Sequence, residues 1–269
     1  AKRDTAHRPN GSDAALFKYA LVPQRRRLDA QRSGFGGANS FRRRPAAAYR
    51  LSDAGRRNER RRTTRHVAAR RNRAVADLWH NHSDGLWIVD PIDGTNNFIN
   101  GLPHFAVSVA YVRHGRAQLG VIYNPVSGEC FYAERGRGAF LNGTPLPLRL
   151  VGKKLNEAIA GVEIKYLRSG KLSSRLNTLA PFGTIRSMGS STLDWCYLAC
   201  GRYDVYVHGG QKLWDYAAGA LIFEEAGGCL STLEGDDFWS GEHVFKRSVV
   251  AALQPDLFKK WLKWIRENQ

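Results

Sequence analysis

Trp-Ile-Val-Asp-Pro-Ile-Asp-Gly-Thr, residues 87–95, runs three apolar residues into two carboxylates, Asp90 and Asp93. This pattern predicts a buried strand that stops at its carboxyl end and turns into a helix. Two acids at such a turn are able to share hard divalent cations, which prefer oxygen ligands. Gly94 and Thr95 then offer backbone N–H groups at a helix N-terminus, where phosphate binds well. An Asp-x-x-Asp-Gly stretch taken alone is more often only a turn, because Asp and Gly favour that geometry.

Four strand-like segments follow this stretch, at 105–112, 117–123, 129–134 and 138–143, with short turns between them. Consecutive strand candidates joined by short turns predict an antiparallel meander. We therefore expect residues 81–150 to form an antiparallel sheet region that carries the metal and phosphate turn.

Strand-like and helix-like segments alternate after a boundary expected near residues 147–155, so residues 151–269 are predicted to be a mixed α/β region. The predicted helix at 215–227 is amphipathic and begins at Asp215, which is either its N-cap or a carboxylate that both caps and binds metal. The turn at 187–192 consists of small residues and enters a helix. It is either a cap or a cradle for a polar ligand.

The last predicted helix, 256–267, places apolar residues on one side and lysines around it. This pattern suits a helix on a membrane surface, but docking onto the core of the same chain is favoured. No stretch approaches the roughly 20 apolar residues of a membrane span, and the N-terminus lacks the apolar segment of a signal peptide. The four cysteines form no Cys-x-x-Cys pair and are interpreted as buried, reduced thiols, which predicts a cytoplasmic location.

The formal net charge of +17 is concentrated at one end of the chain. Residues 1–80 hold 21 Lys and Arg against six Asp and Glu, a balance of +15. The segment has arginine runs and no sustained helical or strand period, and it resembles disordered basic sequence. The rest of the chain is nearly neutral, so the charge is not a property of the patterned region.

Several blocks together resemble the inositol monophosphatase family of Mg²⁺-dependent, Li⁺-sensitive phosphatases. The blocks span residues 86–252 and are 87–95, 103–108, 120–125, 139–143, 186–191 and 214–219. The resemblance implies a layered αβαβα sandwich and hydrolysis of a small phosphorylated polyol or sugar. It also implies a homodimer, since dimers are common among relatives.

The resemblance assigns roles to individual residues. Asp90 bridges two Mg²⁺ ions, the carbonyl of Ile92 binds one of them, and Asp93 and Asp215 hold the second. Gly94 and Thr95 bind phosphate through their N–H groups, and the Thr95 hydroxyl helps to orient the attacking water. The alcohol side of the substrate is lined by Gly189, Ser190 and Ser191.

Two departures from the family pattern affect these expectations. The family's Gly-Glu-Glu motif, which supplies another metal carboxylate, is replaced by the basic sequence His66–Arg73, and we predict weakened Mg²⁺ affinity for that reason. His208 stands where relatives that act on inositol phosphates carry a Glu that binds a substrate hydroxyl. It is either an incidental residue at a strand end or a substrate-binding residue with altered alcohol specificity.

Residues 1–80 have two interpretations. One is out-of-frame translation of a GC-rich gene, with the frame restored shortly before Trp87. The other is a genuine basic arm that binds nucleic acid. Three functions therefore stay open for the chain: an active phosphatase, a catalytically impaired relative and a basic-armed nucleic-acid binder.

Overall fold

The computed structural model describes residues 85–150, 152–163, 170–239 and 244–269. The expectations for residues 1–80, including the basic replacement of the Gly-Glu-Glu motif, fall outside the described residues.

Among the described residues the first sheet is an antiparallel meander of six strands in chain order, which confirms the meander predicted from the sequence. Among the described residues, however, the first strand is buried on one face, so the prediction of a buried strand holds for that face alone. Val89 is 46% exposed whereas its neighbour Ile88 is buried, because successive side chains of a strand point to opposite faces. The strands are β1 (Leu86–Asp93), β2 (Ala106–Arg113), β3 (Arg116–Asn124), β4 (Glu129–Glu134), β5 (Ala139–Leu141) and β6 (Thr144–Pro145). A short helix, α1 (Thr95–Ile99), follows β1.

The second sheet has five strands in the order β10-β11-β9-β7-β8. Strand β7 runs parallel to β8 and β9, and the other neighbours are antiparallel, which confirms a mixed region. The strands are β7 (Ile159–Val162), β8 (Thr184–Arg186), β9 (Val205–Lys212), β10 (Cys229–Ser231) and β11 (Lys246–Ala252). A single 3₁₀ turn, Leu155–Glu157, precedes β7.

Two helices, α3 (Ser191–Ala199) and α4 (Leu213–Glu225), pack against the inner face of the first sheet and also contact β9. The prediction of an amphipathic α4 is wrong, because the helix is buried almost all round, including the run Tyr216–Phe223. The two helices approach closely: a Cβ on Gly219 would lie 2.5 Å from the Cβ of Trp195. This contact holds the middle of α4 beside α3.

The outer face of the second sheet is covered by α2 (Lys171–Thr178) and α5 (Pro255–Asn268). Helix α5 buries Leu257, Trp261 and Ile265, which confirms that it docks onto the core of its own chain. Among the described residues, no helix has the length and apolar character that crossing a membrane requires.

The four described cysteines are all free thiols, as expected. Cys196 and Cys200 are buried, but Cys130 and Cys229 are only partly buried, so the expectation of burial holds for the α3 pair alone.

The described elements stack in the order sheet, helices, sheet, helices, which confirms a layered α/β sandwich. One hydrophobic cluster contains residues of both sheets together with α3 and α4. The break between the sheets falls between Pro145 and Ile159. The domain boundary at 150/151 stays a prediction.

Candidate metal and phosphate site

The two acids of the opening stretch lie within β1 and not beyond its end. Asp90 pairs with Ser108 and Asp93 pairs with Ala106, so β1 holds one extra residue there and forms a bulge. Strand β1 therefore extends further than the sequence pattern indicated, and the bulge re-aims its last side chains. The predicted turn into a helix is confirmed. It lies at Gly94, between the last residue of β1 and the first residue of α1.

Gly94 makes this turn between β1 and α1. Its φ of 81° lies in the left-handed region, which strains residues that carry a Cβ. A Cβ there would also lie 2.9 Å from the carbonyl oxygen of His104 and 3.3 Å from that of Gly189. Only glycine fits at this position. The short distance to the Gly189 carbonyl also shows that the turn at Gly189 lies directly against the β1–α1 turn.

Asp90, Asp93 and Asp215 form one carboxylate cluster, with a ligand oxygen of each within 4.8 Å of the others. The third acid comes from the first turn of α4. The helix begins at Leu213 with Lys212 as its N-cap, so the interpretation of Asp215 as N-cap is wrong. Its Oδ2 instead accepts a hydrogen bond from the Lys212 backbone nitrogen at 3.0 Å.

Each carboxylate is anchored through one oxygen. Asp90 Oδ1 accepts a hydrogen bond from the Ile92 nitrogen at 3.0 Å. Asp93 Oδ2 accepts three, from Ser190 Oγ at 2.6 Å, the Thr192 nitrogen at 2.8 Å and Thr192 Oγ1 at 2.7 Å. A carboxylate has two oxygens, and within the described part of the chain the second oxygen of each acid accepts no hydrogen bond, which leaves it for a cation.

Burial and mutual repulsion raise the pKa values of two acids of the cluster. Burial, followed by the charge of Asp93, raises the pKa of Asp90 from 3.8 to about 6 and the pKa of Asp215 to about 7. A bound divalent cation would offset this repulsion, and the donors are all oxygens, which hard cations prefer. The three acids therefore fit a divalent metal ion.

The Thr95 hydroxyl donates a hydrogen bond to the carbonyl oxygen of Ile92 at 2.8 Å. That carbonyl retains a second lone pair with which to bind a metal. Since the first N–H groups of a helix have no acceptor within the helix, the entry to α1 offers donors to an anion beside the carboxylate cluster.

His208 lies inside β9 and not at a strand end, because the strand continues to Lys212. Its Nε2 is 3.5 Å from Ser191 Oγ, while its Nδ1 accepts a hydrogen bond from the Gly210 nitrogen at 3.1 Å. Glu163, just after β7, places Oε2 3.6 Å from the same Nδ1. The structure therefore brings His208 and Ser191 together, one residue along the chain from the Ser190 that binds Asp93.

Sequence reasoning missed Asn97, a buried residue of α1. Its Nδ2 donates to the carbonyl oxygens of His104 and Met188, both at 2.7 Å. These bonds connect α1 to the loop before β2 and to the turn before α3. It also missed the role of Thr192, although the small-residue turn that ends there was recognised. No local pattern distinguishes either residue, since their partners lie far away in the sequence or in irregular backbone.

A family model described as the inositol monophosphatase family matches residues 62–269. The chain is 39% identical to an inositol-1-monophosphatase of Mesorhizobium japonicum, over 65% of this chain and 70% of that protein. It is 40% identical to the Nus factor SuhB of Pseudomonas aeruginosa, over 69% of each chain. The crystal structure of the extragenic suppressor protein suhB from Bartonella henselae superposes with a TM-score of 0.61 at 34% identity, covering 69% of this chain and 71% of that one. The chain belongs to the inositol monophosphatase family.

Proposed function

We propose that the chain is a Mg²⁺-dependent phosphomonoesterase that hydrolyses a small polyol or sugar phosphate. The observation that carries this proposal is the cluster of Asp90, Asp93 and Asp215 beside the entry to α1. A family of phosphatases supplies the reaction class, and an inositol-1-monophosphatase among the relatives supplies the substrate class.

Asp90, Asp93, Asp215 and the carbonyl of Ile92 would hold the metal. Bound Mg²⁺ supplies charge neutralisation at the phosphate and lowers the pKa of water, which phosphoryl transfer requires. The chain's own groups would position the reactants around it.

The N–H groups of Gly94 and Thr95 bind the phosphate, and the Thr95 hydroxyl, held by the Ile92 carbonyl, orients the attacking water through its lone pairs. Gly189, Ser191 and His208 line the alcohol side. Ser190 is only 1% exposed and donates to Asp93, so we assign it the positioning of that carboxylate.

A phosphate-release assay with myo-inositol 1-phosphate tests the proposal. We expect release that requires Mg²⁺, that Li⁺ inhibits, and that Asp93→Asn abolishes. Asp256→Asn, which changes a strongly exposed acid on α5, is the matched control and should leave release unchanged. Metal-independent release, or release that survives Asp93→Asn, would contradict the proposal.

A catalytically impaired family member is the second candidate. The basic sequence at residues 66–73 favours it, because relatives carry a metal carboxylate there. It predicts weak Mg²⁺ binding and slow turnover by an otherwise folded chain. Tight binding of two Mg²⁺ ions per chain would rule it out.

Nucleic-acid binding is a third candidate, favoured by the +15 balance of residues 1–80 and by relatives named Nus factor SuhB. It predicts RNA binding that weakens with salt and is lost when residues 1–80 are deleted. The homodimer and the cytoplasmic location stay predictions, which sedimentation and fractionation would test.

A further inference from the structure

A buried glutamine, Gln211, lies near the end of β9 and bonds to a side chain on either side. Its Oε1 accepts a hydrogen bond from Trp195 Nε1 at 2.8 Å, and its Nε2 donates to Tyr206 Oη at 2.6 Å. All three side chains are at most 1% exposed. A buried amide costs stability unless its polar atoms are paired, and an apolar side chain of similar size would fill the same space without that requirement. The glutamine is therefore better explained by what it connects than by packing alone.

A bulge in β9 brings Gln211 to the same face as Tyr206. The two residues are five positions apart, and side chains with that spacing point to opposite faces of a regular strand. The cross-strand pairs with β11 are Gln211 with Arg247 and His208 with Val249, so one extra residue of β9 lies between them. The bond from Gln211 to Tyr206 spans this bulge and fixes the course of the strand up to its end.

The end of β9 leads directly to the carboxylate that α4 contributes. Lys212 follows Gln211, is the last residue of β9 and is also the N-cap of α4. Its backbone nitrogen donates to Asp215 Oδ2 at 3.0 Å. The position of Asp215 thus depends on where β9 ends. Since Gln211 holds that end, its influence reaches Asp215 through the next peptide unit and this hydrogen bond.

Trp195, the other partner of Gln211, belongs to the helix that holds Asp93. Thr192 lies one turn before Trp195 on the same side of α3, and it donates two hydrogen bonds to Asp93 Oδ2. Trp195 also packs against Gly219 in the middle of α4. The bond between Trp195 and Gln211 therefore joins the helix that holds one carboxylate to the strand that leads to another.

We propose that Gln211 is a positioning residue for the metal site, and that its two hydrogen bonds set the separation of the Asp93 and Asp215 carboxylates. This inference rests on the proposed function, in which these acids hold a metal ion. Gln211 acts through the backbone of β9 and through α3. The separation matters because Mg²⁺ demands near-ideal octahedral geometry from its ligands. Loss of a group that orients metal ligands typically lowers metal affinity by about 10–100-fold.

Gln211→Met tests the proposal, because methionine has a similar size and removes both hydrogen bonds. Calorimetric titration with Mg²⁺ at pH 8 should show affinity about tenfold below that of the natural chain. With myo-inositol 1-phosphate, the Mg²⁺ concentration for half-maximal rate should rise by a similar factor. At saturating Mg²⁺, kcat and KM should return to the natural values, a separation that general loss of structure would not produce.

Thr232→Val is the matched control for lost stability. Its buried hydroxyl accepts hydrogen bonds from the Gly235 and Asp236 nitrogens in the loop after β10, so the variant should be less stable with unchanged Mg²⁺ affinity. Tyr206→Phe removes only the bond across the bulge and should weaken Mg²⁺ binding by a smaller factor. It takes the place of Gln211→Met if that variant does not fold.

Amide hydrogen exchange in EDTA separates this inference from the proposed function. We expect faster exchange in Gln211→Met at the Thr192 and Lys212 amides, which donate to the two carboxylates, than at amides in the middle of the first sheet. A chain that binds no Mg²⁺ but shows this local change would support the inference and contradict the function. If the natural chain binds Mg²⁺, equal affinity in Gln211→Met would overturn the inference. If it does not, unaltered exchange at both amides would overturn it.

Discussion

Thr192 donates two hydrogen bonds to a single oxygen, Oδ2 of Asp93, from its backbone nitrogen at 2.8 Å and from Oγ1 at 2.7 Å. The two residues are 99 positions apart in the sequence. The first turn of α3 therefore holds a carboxylate that β1 contributes. Because the N–H groups at a helix N-terminus favour an anionic partner, the start of α3 is suited to fix the position of this side chain.

Thr192→Val should weaken the metal site without unfolding the chain. The substitution keeps the shape of the side chain and the backbone donor, but it removes the hydroxyl from a buried carboxylate. We expect a loss of about 1–2 kcal/mol in unfolding free energy and a fall in Mg²⁺ affinity. Denaturant unfolding and calorimetry measure the two effects.

The matched control is Thr178→Val in α2, where the hydroxyl donates to the Ser174 carbonyl at an exposed position. It should change neither property appreciably. Unaltered Mg²⁺ affinity in Thr192→Val would show that its hydroxyl does not position Asp93.

Asn97→Ala should loosen the site by freeing the turn before α3. The amide connects the carbonyls of His104 and Met188, and the substitution leaves a buried and a partly buried acceptor with one bond fewer. We expect a loss of about 2–3 kcal/mol in unfolding free energy. Asn100→Ala is the control, since that amide donates to the Asn96 carbonyl at an exposed position. Similar small losses in both variants would refute the linking role of Asn97.

The metal-free protein should lose stability as pH rises from about 5 to 8. Burial raises the pKa of Asp90 to about 6, of Asp215 to about 7 and of Asp194 to about 8, each from 3.8. Between these values and 3.8 the folded state holds more protons than the unfolded state, so raising the pH favours unfolding. Melting temperatures in EDTA across this range measure the effect.

Added Mg²⁺ should raise the melting temperature more at pH 8 than at pH 5.5. Protons compete with the cation for Asp90 and Asp215 below their raised pKa values. A Mg²⁺-induced shift that is independent of pH would contradict the assignment of these acids as ligands.

The sequence predicted the β1–α1 turn and its acids because strand patterning, Asp and Gly all act within a few residues. It did not reveal that Asp93 depends on Thr192, since this contact forms only when α3 packs against the first sheet. The start of α4 was placed too late for a related reason. Asp215 is a good N-cap by type, but here its carboxylate accepts from the Lys212 nitrogen from within the first turn.

The residue patterns of the sequence also gave incorrect predictions of burial for α4 and β1. Helix α4 was expected to show one polar face, but its position between α3, the first sheet and β9 buries most of its surface. In β1 the apolar run Trp87–Val89 predicted a buried strand, whereas among the described residues the strand lies at the edge of its sheet and exposes Val89. Such outcomes depend on the order in which elements stack, and short-range patterns do not encode that order.

The proposed phosphatase function requires that Asp90, Asp93 and Asp215 hold a catalytic metal ion. Calorimetric titration of the full chain with Mg²⁺ at pH 8 tests it most directly, with Asp93→Asn and Asp256→Asn titrated alongside. We expect saturable binding by the natural chain and by Asp256→Asn, and none by a folded Asp93→Asn. Binding that Asp93→Asn leaves unchanged, or no saturable binding by the natural chain, would contradict it.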